Sequence, residues 1–180
     1  MNALEAKKLL DSADMVCDAE KSALAVRRIA AEIDEKLADA YPIVLAVMGG
    51  AVIFTGQLLP LLNFPLEFDY LHATRYDNAT CGGALSWIVQ PRVCVAGRTV
   101  LVLDDILDEG VTLAAIVDYL QTMGAKQVFS AVFAEKILDR PKPIAADFVG
   151  VQLPNRYVFG YGMDVRGAWR NLPAVYAVKD

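Results

Sequence analysis

Two hydrophobic periodicities take turns along this chain. From Asp18 to Leu37, apolar Val26, Ile29, Ile33 and Leu37 recur at three- to four-residue spacing, which predicts an amphipathic helix. A shorter helical stretch, Leu4 to Leu10, precedes it. Ile43 to Val47 is unbroken apolar sequence and predicts a buried strand, followed by Gly49-Gly50 and a helix from about Ala51 to Leu62. Leu66 to Thr74 predicts a second strand. Arg75 to Gly83 is polar and glycine-bearing, which predicts a mobile loop, with Ala84 to Val89 as one arm of a flanking hairpin. Thr99 to Leu103 carries the strongest strand signal. Leu113 to Met123 is the helix after it, closed by Gly124, and Val128 to Phe133 is a further strand. From Lys136 onward the chain reads as short strands and turns rich in Pro, Gly and aromatic residues. Strand-helix alternation of this kind predicts an α/β fold with a central, mainly parallel sheet, its ligands gathered at the carboxyl ends of the strands. With no internal repeat, low-complexity tract or linker, residues 1–180 are expected to form a single domain.

Composition sharpens that picture. A hydrophobic share of 56% with 22% charged residues suits a sheet covered on both faces. The formal net charge of −5 argues against a nucleic-acid surface, which needs clustered Lys and Arg. The apolar stretch from Ile43 to Phe54 is too short to span a bilayer, and the amino terminus lacks the charged-then-apolar order of a signal peptide. Cys17, Cys81 and Cys94 are odd in number and lack metal-type spacing, so neither a disulfide framework nor a zinc site is expected. A cytoplasmic location without membrane association is the simplest expectation.

The chemistry concentrates in Val100-Leu-Val-Leu-Asp-Asp-Ile-Leu-Asp-Glu-Gly-Val-Thr112. An apolar strand ends in Asp104 and Asp105, which emerge where sugar hydroxyls or a metal could sit. The turn Asp108-Glu109-Gly110-Val111-Thr112 then offers backbone N–H groups and a hydroxyl at a helix N-terminus, which suits a phosphate. Acids beside a phosphate cradle would repel a bare polyanion. They make sense if the ligand brings ribose hydroxyls and a divalent cation, so a phosphorylated sugar fits. Asp104-Asp105 taken alone reads equally well as a solvated acidic edge. Val47-Met48-Gly49-Gly50-Ala51 adds a second turn of this kind, since paired glycines permit close backbone approach before a helix N-terminus. Such a pair can also be just a tight turn. His72, the only histidine, reads as the end of a strand rather than a catalytic group.

The thirteen-residue run resembles the phosphoribosyl-pyrophosphate signature of type I phosphoribosyltransferases: two acids, two apolar residues, then Asp-Thr-Gly-x-Thr. Glu109 stands where that pattern has its first threonine, which removes a hydroxyl and adds a negative charge at the phosphate rim. Asp147-Phe-Val-Gly150, then Leu153-Pro-Asn-Arg-Tyr-Val-Phe-Gly-Tyr-Gly-Met-Asp164 and Trp169-Arg170, resemble the carboxyl-terminal part of hypoxanthine–guanine phosphoribosyltransferases. The resemblance runs in order from about residue 43 to the end; no specific motif covers the amino-terminal helices.

The resemblance implies a type I phosphoribosyltransferase-like fold with a flexible active-site loop and a small hood, the hood built from the amino-terminal helices and carboxyl-terminal segment. It also implies transfer of 5-phosphoribosyl from its 1-pyrophosphate to a 6-oxopurine, with Mg²⁺ as cofactor. Asp104 and Asp105 would hold the ribose hydroxyls, and the Asp108, Glu109, Gly110, Val111 and Thr112 turn the 5′-phosphate, with Asp108 as general base. Met48, Gly49 and Gly50 would face pyrophosphate, through a non-proline cis peptide that by position is Val47–Met48. Some relatives carry a lysine where Met48 stands, so that contact would come from the backbone. Tyr76 would cover the pyrophosphate side, with Arg75 replacing the family's usual serine, and Arg170 would hold pyrophosphate oxygens. Lys136 would donate to the purine O6, Tyr157 would stack on the ring, and the backbone of Val158 would read its edge. Asp164 would bind the cation together with Asp105, at the rim of the purine site.

Physical chemistry agrees in part. A lysine ammonium donates and cannot accept, so it favours an oxo over an amino substituent. Aromatic stacking contributes on the order of 1–3 kcal/mol and is blind to base identity. Read without the resemblance, Lys136 is an ordinary rim lysine, Tyr157 could be core and Arg170 a surface ion-pair partner. Tyr161 and Trp169 read as core or interface residues. Two other readings compete: a regulatory sensor that kept the fold and binds nucleotide and nucleic acid, and a xanthine-preferring enzyme. A phosphoacceptor domain would order its acids differently, and a nucleoside triphosphatase lacks its Gly-x-x-x-x-Gly-Lys-Ser/Thr motif here. The apolar, aromatic carboxyl-terminal segment suggests a homodimer or homotetramer.

Overall fold

A computed structural model describes residues 1–75 and 85–179. Helix α1 (Ala3–Ser12) opens on Asn2, whose side chain accepts from the Glu5 amide while Glu5 returns a bond to the Asn2 amide. Strand β1 (Asp14–Cys17) follows, then helix α2 (Ala19–Leu37), capped by Asp18 accepting from the Lys21 amide. The expected apolar stripe of α2 is buried, with Val26, Ile29, Ile33 and Leu37 at 0–1% exposure.

Next come β2 (Ile43–Val47), α3 (Val52–Leu58), β3 (Glu67–Arg75), β4 (Leu85–Val89), β5 (Thr99–Leu107) and α4 (Val111–Thr122). The chain continues with β6 (Gln127–Lys136), β7 (Phe148–Leu153), β8 (Val158–Phe159) and β9 (Val175–Ala177). Helix α3 ends earlier than the expected Leu62. A 3₁₀ turn, Leu59–Leu61, takes over at Pro60, which cannot donate the amide that continued α-helix requires. Helix α4 ends as expected at Gly124, whose φ is +84°.

The central sheet has the order β4-β3-β2-β5-β6-β7, parallel throughout except for the β3–β4 hairpin. Two apolar layers cover it. Val44, Leu101 and Phe133 face the α2 and α3 side, while Leu45, Val102 and Val132 face α4. This alternation along each strand is why the strands read as continuous apolar runs.

Two strands outlast their apolar runs. β5 continues to Leu107, so Asp104 and Asp105 lie within the strand rather than after it. β6 continues to Lys136, which ends that strand rather than following it. Ladder pairing explains both extensions. Asp104 pairs with Val132 and Leu107 with Glu135, and Lys136 pairs with Leu153 of β7, so neighbouring strands supply the ladder partners that these polar ends need.

A second, antiparallel sheet of order β1-β9-β8 joins the two ends of the chain. Asp14–Cys17, only four residues long, gives no strand signal by itself; its partner β9 imposes the extended form. Val175 and Ala177 are buried here, so the apolar carboxyl-terminal segment that suggested an oligomer is used within the subunit. Trp169 Nε1 donates to the Ala6 carbonyl at 2.8 Å, tying α1 to the same region. Among the described residues, no helix is long and apolar enough to cross a membrane.

A buried acid far from the motifs anchors the segment between β4 and β5. Asp69 of β3 accepts from the amides of Arg92 (2.6 Å) and Val93 (3.2 Å) and is 4% exposed. Burial pushes its pKa up, but those amides, that of Tyr70 and the Arg92 charge together bring it below the ordinary aspartate value. A depressed folded-state pKa stabilises the fold above the unfolded value of 3.8, and that stabilisation is lost as pH falls through the folded value. Asp69→Asn is therefore expected to lower unfolding free energy by about 1–3 kcal/mol at pH 7. The gap to wild type should narrow as the pH of a urea titration series is lowered toward 3. A gap that does not change with pH would show that the carboxylate charge contributes nothing.

Candidate active site

The carboxyl ends of β2, β3 and β5 border a cavity of about 360 Å³. The glycine turn after β2 (Met48, Gly49, Gly50) lines one wall, and the β5 acids with the turn into α4 (Asp104, Asp105, Asp108, Glu109, Gly110, Thr112) line the other. A second cavity of about 250 Å³ adjoins it and is lined by Lys136, Tyr157, Val158, Met163 and Asp164. Asp105, Ile106, Asp108 and Arg170 border both. Gly50 and Lys136, far apart in sequence, thus reach the same acids from opposite sides.

Asp104 is 9% exposed, and its Oδ1 accepts from the Asp105 amide at 2.9 Å. Burial raises its pKa well above the usual carboxylate value, and the adjoining Asp105 charge raises it further. Burial also raises Asp105, outweighing the pull of its hydrogen bond to Asp104 and of the Arg170 charge. Two such acids have strong reason to take up cationic or hydroxyl-donating ligands, because either one offsets the cost of ionising them in place.

Around Asp105 the backbone is packed without slack. A methyl built on Gly50 would overlap the Asp105 carboxylate, and one built on Gly162 would overlap the Gly50 carbonyl oxygen. Arg170 holds this contact. Its Nη1 donates to the Gly162 carbonyl at 2.7 Å, and its Nη2 lies 2.6 Å from Asp164 Oδ1. The other Asp164 oxygen accepts from the Gly167 amide at 2.7 Å. The turn after β2 does contain a non-proline cis peptide, but it is Met48–Gly49, one bond later than the expected Val47–Met48. The Met48 amide is engaged in a bond to the Leu71 carbonyl at 2.8 Å, an extension of the β2–β3 ladder that keeps the Val47–Met48 link in regular register.

Gly110, with φ +81°, begins α4, and no side chain caps that helix. Gly110 and Thr112 line the first cavity, at the helix end whose amides and dipole suit an anion. Glu109 forms an ion pair with Arg140, a residue the sequence had not marked.

In the second cavity, Lys136 Nζ lies 2.7 Å from Asp108 Oδ2, and the lysine side chain is 12% exposed. Tyr157 is 57% exposed, so its ring presents a face rather than filling the core. Val158 is opposite Ala177, and the Tyr157 carbonyl accepts from the Val178 amide at 2.9 Å. Alternation along an antiparallel pair then turns the Val158 N–H and C=O away from β9, toward the open edge of β8.

Tyr161, by contrast, is core, stacked on Phe133 at 3.8 Å with its hydroxyl donating to Gln57 Oε1 at 2.5 Å. His72 lies within β3 rather than at its end, and it lines the first cavity beside Met48 and Gly49. Tyr76 lies outside the described residues, as does Cys81, and so do the expected loop's residues beyond Arg75.

Comparison with known proteins agrees with this geometry. Residues 12–166 match the phosphoribosyl transferase domain, a span that includes every residue of the site except Arg170. The hypoxanthine-guanine phosphoribosyltransferase of Bacillus subtilis (strain 168) is 32% identical over 155 residues, covering 86% of each chain. The hypoxanthine-guanine-xanthine phosphoribosyltransferase of Tritrichomonas foetus is 32% identical over 156 residues, covering 86% of this chain and 85% of that protein. Among solved structures, a hypoxanthine-guanine-xanthine phosphoribosyltransferase superposes with a TM-score of 0.85 at 29% identity, covering 94% of this chain and 99% of the other. A hypoxanthine-guanine phosphoribosyltransferase from Bacillus anthracis gives 0.86 at 27% identity, covering 92% and 98%. With the sheet order, the paired acids and the glycine turn meeting at one rim, the chain belongs to the phosphoribosyl transferase domain family.

Proposed function

We propose that this protein transfers 5-phosphoribosyl from phosphoribosyl pyrophosphate to N9 of hypoxanthine or guanine, giving the nucleoside monophosphate and pyrophosphate. The observation that carries this reading is the Lys136–Asp108 pair between the two cavities, with its 2.7 Å contact. It sets a donor and an acceptor side by side, matching O6 and N7–H on one edge of a 6-oxopurine. Adenine would bring an amino group to the same ammonium, two donors facing each other. The open edge of Val158 and the exposed ring of Tyr157 would complete the base site by reading the far edge and stacking.

On the sugar side, Asp104 and Asp105 would accept from the ribose hydroxyls. The amides of Gly110, Val111 and Thr112 and the Thr112 hydroxyl would hold the 5′-phosphate. The bond from C1′ to the pyrophosphate oxygen breaks, leaving an oxocarbenium-like sugar. N9 then bonds to C1′, and the proton on N7 passes to Asp108. Asp104 and Asp105 favour the positive charge growing on the sugar. The backbone of Met48, Gly49 and Gly50, together with Arg170 and Tyr76, would receive the pyrophosphate. Arg170 must then share its guanidinium between that ligand and the contacts it already makes to Gly162 and Asp164.

Members of this family use Mg²⁺ with phosphoribosyl pyrophosphate. Among the described residues no three acidic, histidine or cysteine side chains converge as a metal site. The donors present fit a cation that arrives with its substrate, because magnesium is commonly held by one or two carboxylates plus phosphate oxygens and water. Asp105 and Asp164, both lining the second cavity, would supply those carboxylates. When bound, the ion would screen the pyrophosphate charge and improve it as a leaving group.

The Tritrichomonas foetus relative, named for xanthine as well, favours a second reading in which xanthine is also accepted. Product analysis with phosphoribosyl pyrophosphate, Mg²⁺ and each purine in turn decides between them. Nucleotide is expected from hypoxanthine and guanine and not from adenine, and the xanthine arm settles the second reading. No product from any base would remove the assignment. Asp108→Asn is expected to lower kcat by about 10²–10⁴-fold while changing sugar-phosphate affinity far less. Equal losses in steady-state turnover and in ribose 5-phosphate binding would take the general-base role away from Asp108.

A further inference from the structure

Between β6 and β7 the chain runs back across the turn that holds Asp108, and one lysine in that strap is turned largely inward. Lys142 sits in the sequence Pro141-Lys142-Pro143, which by itself reads as a solvated loop. Its side chain is nevertheless 10% exposed. Its Nζ donates to the Leu107 carbonyl (3.0 Å), the Lys136 carbonyl (2.6 Å) and Glu135 Oε1 (3.0 Å). An ammonium has three donors, and all three are used. Two of the acceptors are the backbone carbonyls at the last positions of β5 and β6, where the ladder between those strands stops.

The placement matters because of what is attached to those carbonyls. Leu107 is the residue before Asp108, and the second carbonyl belongs to Lys136 itself. One cation therefore bridges, at the last ladder pair, the two backbones from which the donor–acceptor pair projects. We infer that Lys142 is a positioning residue: its ammonium clasps the ends of β5 and β6 and so sets the Asp108–Lys136 geometry that meets the purine. This rests on the function proposed above. A purely structural lysine would support sugar and purine sides alike. A positioning lysine acts mainly on the purine side: one clasped carbonyl belongs to Lys136 and the other joins directly to Asp108, while neither belongs to the glycine turn or to Asp104 and Asp105.

The test compares wild type, Lys142→Met, Lys142→Arg and Glu135→Gln in two measurements: steady-state kinetics with hypoxanthine, and calorimetric binding of ribose 5-phosphate. In Lys142→Met, kcat/KM for hypoxanthine is expected to fall by about 100-fold, the scale of an ångström-sized misplacement. Ribose 5-phosphate affinity should change far less, although the Leu107 carbonyl also leads into the turn that would hold the 5′-phosphate. Glu135→Gln keeps both carbonyl contacts and removes only the ion pair, so its hypoxanthine kinetics should match wild type. Unchanged hypoxanthine kinetics in Lys142→Met, or equal losses on both sides, would overturn the inference, as would a Glu135→Gln loss as large as that of Lys142→Met. Should Lys142→Met fail to fold by circular dichroism, Lys142→Arg carries the same comparison. Its planar fork cannot converge three donors on these acceptors, and it is expected to lose mainly purine-side efficiency. A wild-type enzyme that makes no nucleotide while binding ribose 5-phosphate would instead remove the proposed reaction, an outcome seen before any variant is compared.

Discussion

Two glycine backbones meet the Asp105 side chain with no space left for another side chain between them. The Gly50 Cα faces the Asp105 carboxylate, and the Gly162 Cα, at φ +99°, faces the Gly50 carbonyl. Only glycine allows this approach at both positions. Because the contact is so close, the carboxyl-terminal segment is laid directly onto the acids of β5. That is why the two cavities share a wall instead of opening on different faces. Arg170 closes the arrangement, with one guanidinium nitrogen on Gly162 and another on Asp164. The small sheet supports it from behind by joining β8 to β9 and β9 to β1. A ligand filling both cavities would touch segments that are already fixed relative to one another, so little ordering is left for binding to accomplish.

Electrostatics divides the site along the same wall. On one side lie the buried Asp104 and the partly buried Asp105, both with raised pKa values and one guanidinium for company. On the other lies an ammonium paired with a carboxylate. The first arrangement suits hydroxyl donors and growing positive charge, and the second suits an edge offering an acceptor beside a donor. A phosphate, which neither arrangement would attract, is better suited to the amino-terminal end of α4, where Gly110 and Thr112 line the cavity. A single ligand with these three kinds of group in sequence satisfies all three environments, which is a more demanding condition than any one of them.

Much of this was legible in the residues. Apolar runs located the core strands, and Asp18 and Gly124 marked helix ends, because those signals are local. Asp104, Asp105, Gly50 and Lys136 were expected at one rim and meet there. The errors came where partners override local preference. β5 and β6 extend past their apolar runs because neighbouring strands complete their ladders, so acids expected at a strand's end lie within it. β1 is invisible in Asp14–Cys17 because β9, far along the chain, imposes it. The cis bond falls one residue later than expected, just past Met48, whose amide still bonds to the Leu71 carbonyl of β3.

Lys142 and Arg140 went unread for a different reason. Each is a cation in a proline-bearing loop, where composition predicts solvation. Glu109, the conspicuous departure in the motif, was read as an extra charge at the phosphate rim. In the fold, Arg140 forms an ion pair with it, while Lys142 of the same strap sits against Glu135. Glu135 lies at the end of β6 and Glu109 in the turn just after β5, and both cations belong to one short strap. The strap thus brings positive charge to the two places where the strand ends gather negative charge. A substitution in the motif and a pair of loop residues some thirty positions later are parts of one local charge balance, a relation that exists only once β5 and β6 lie side by side.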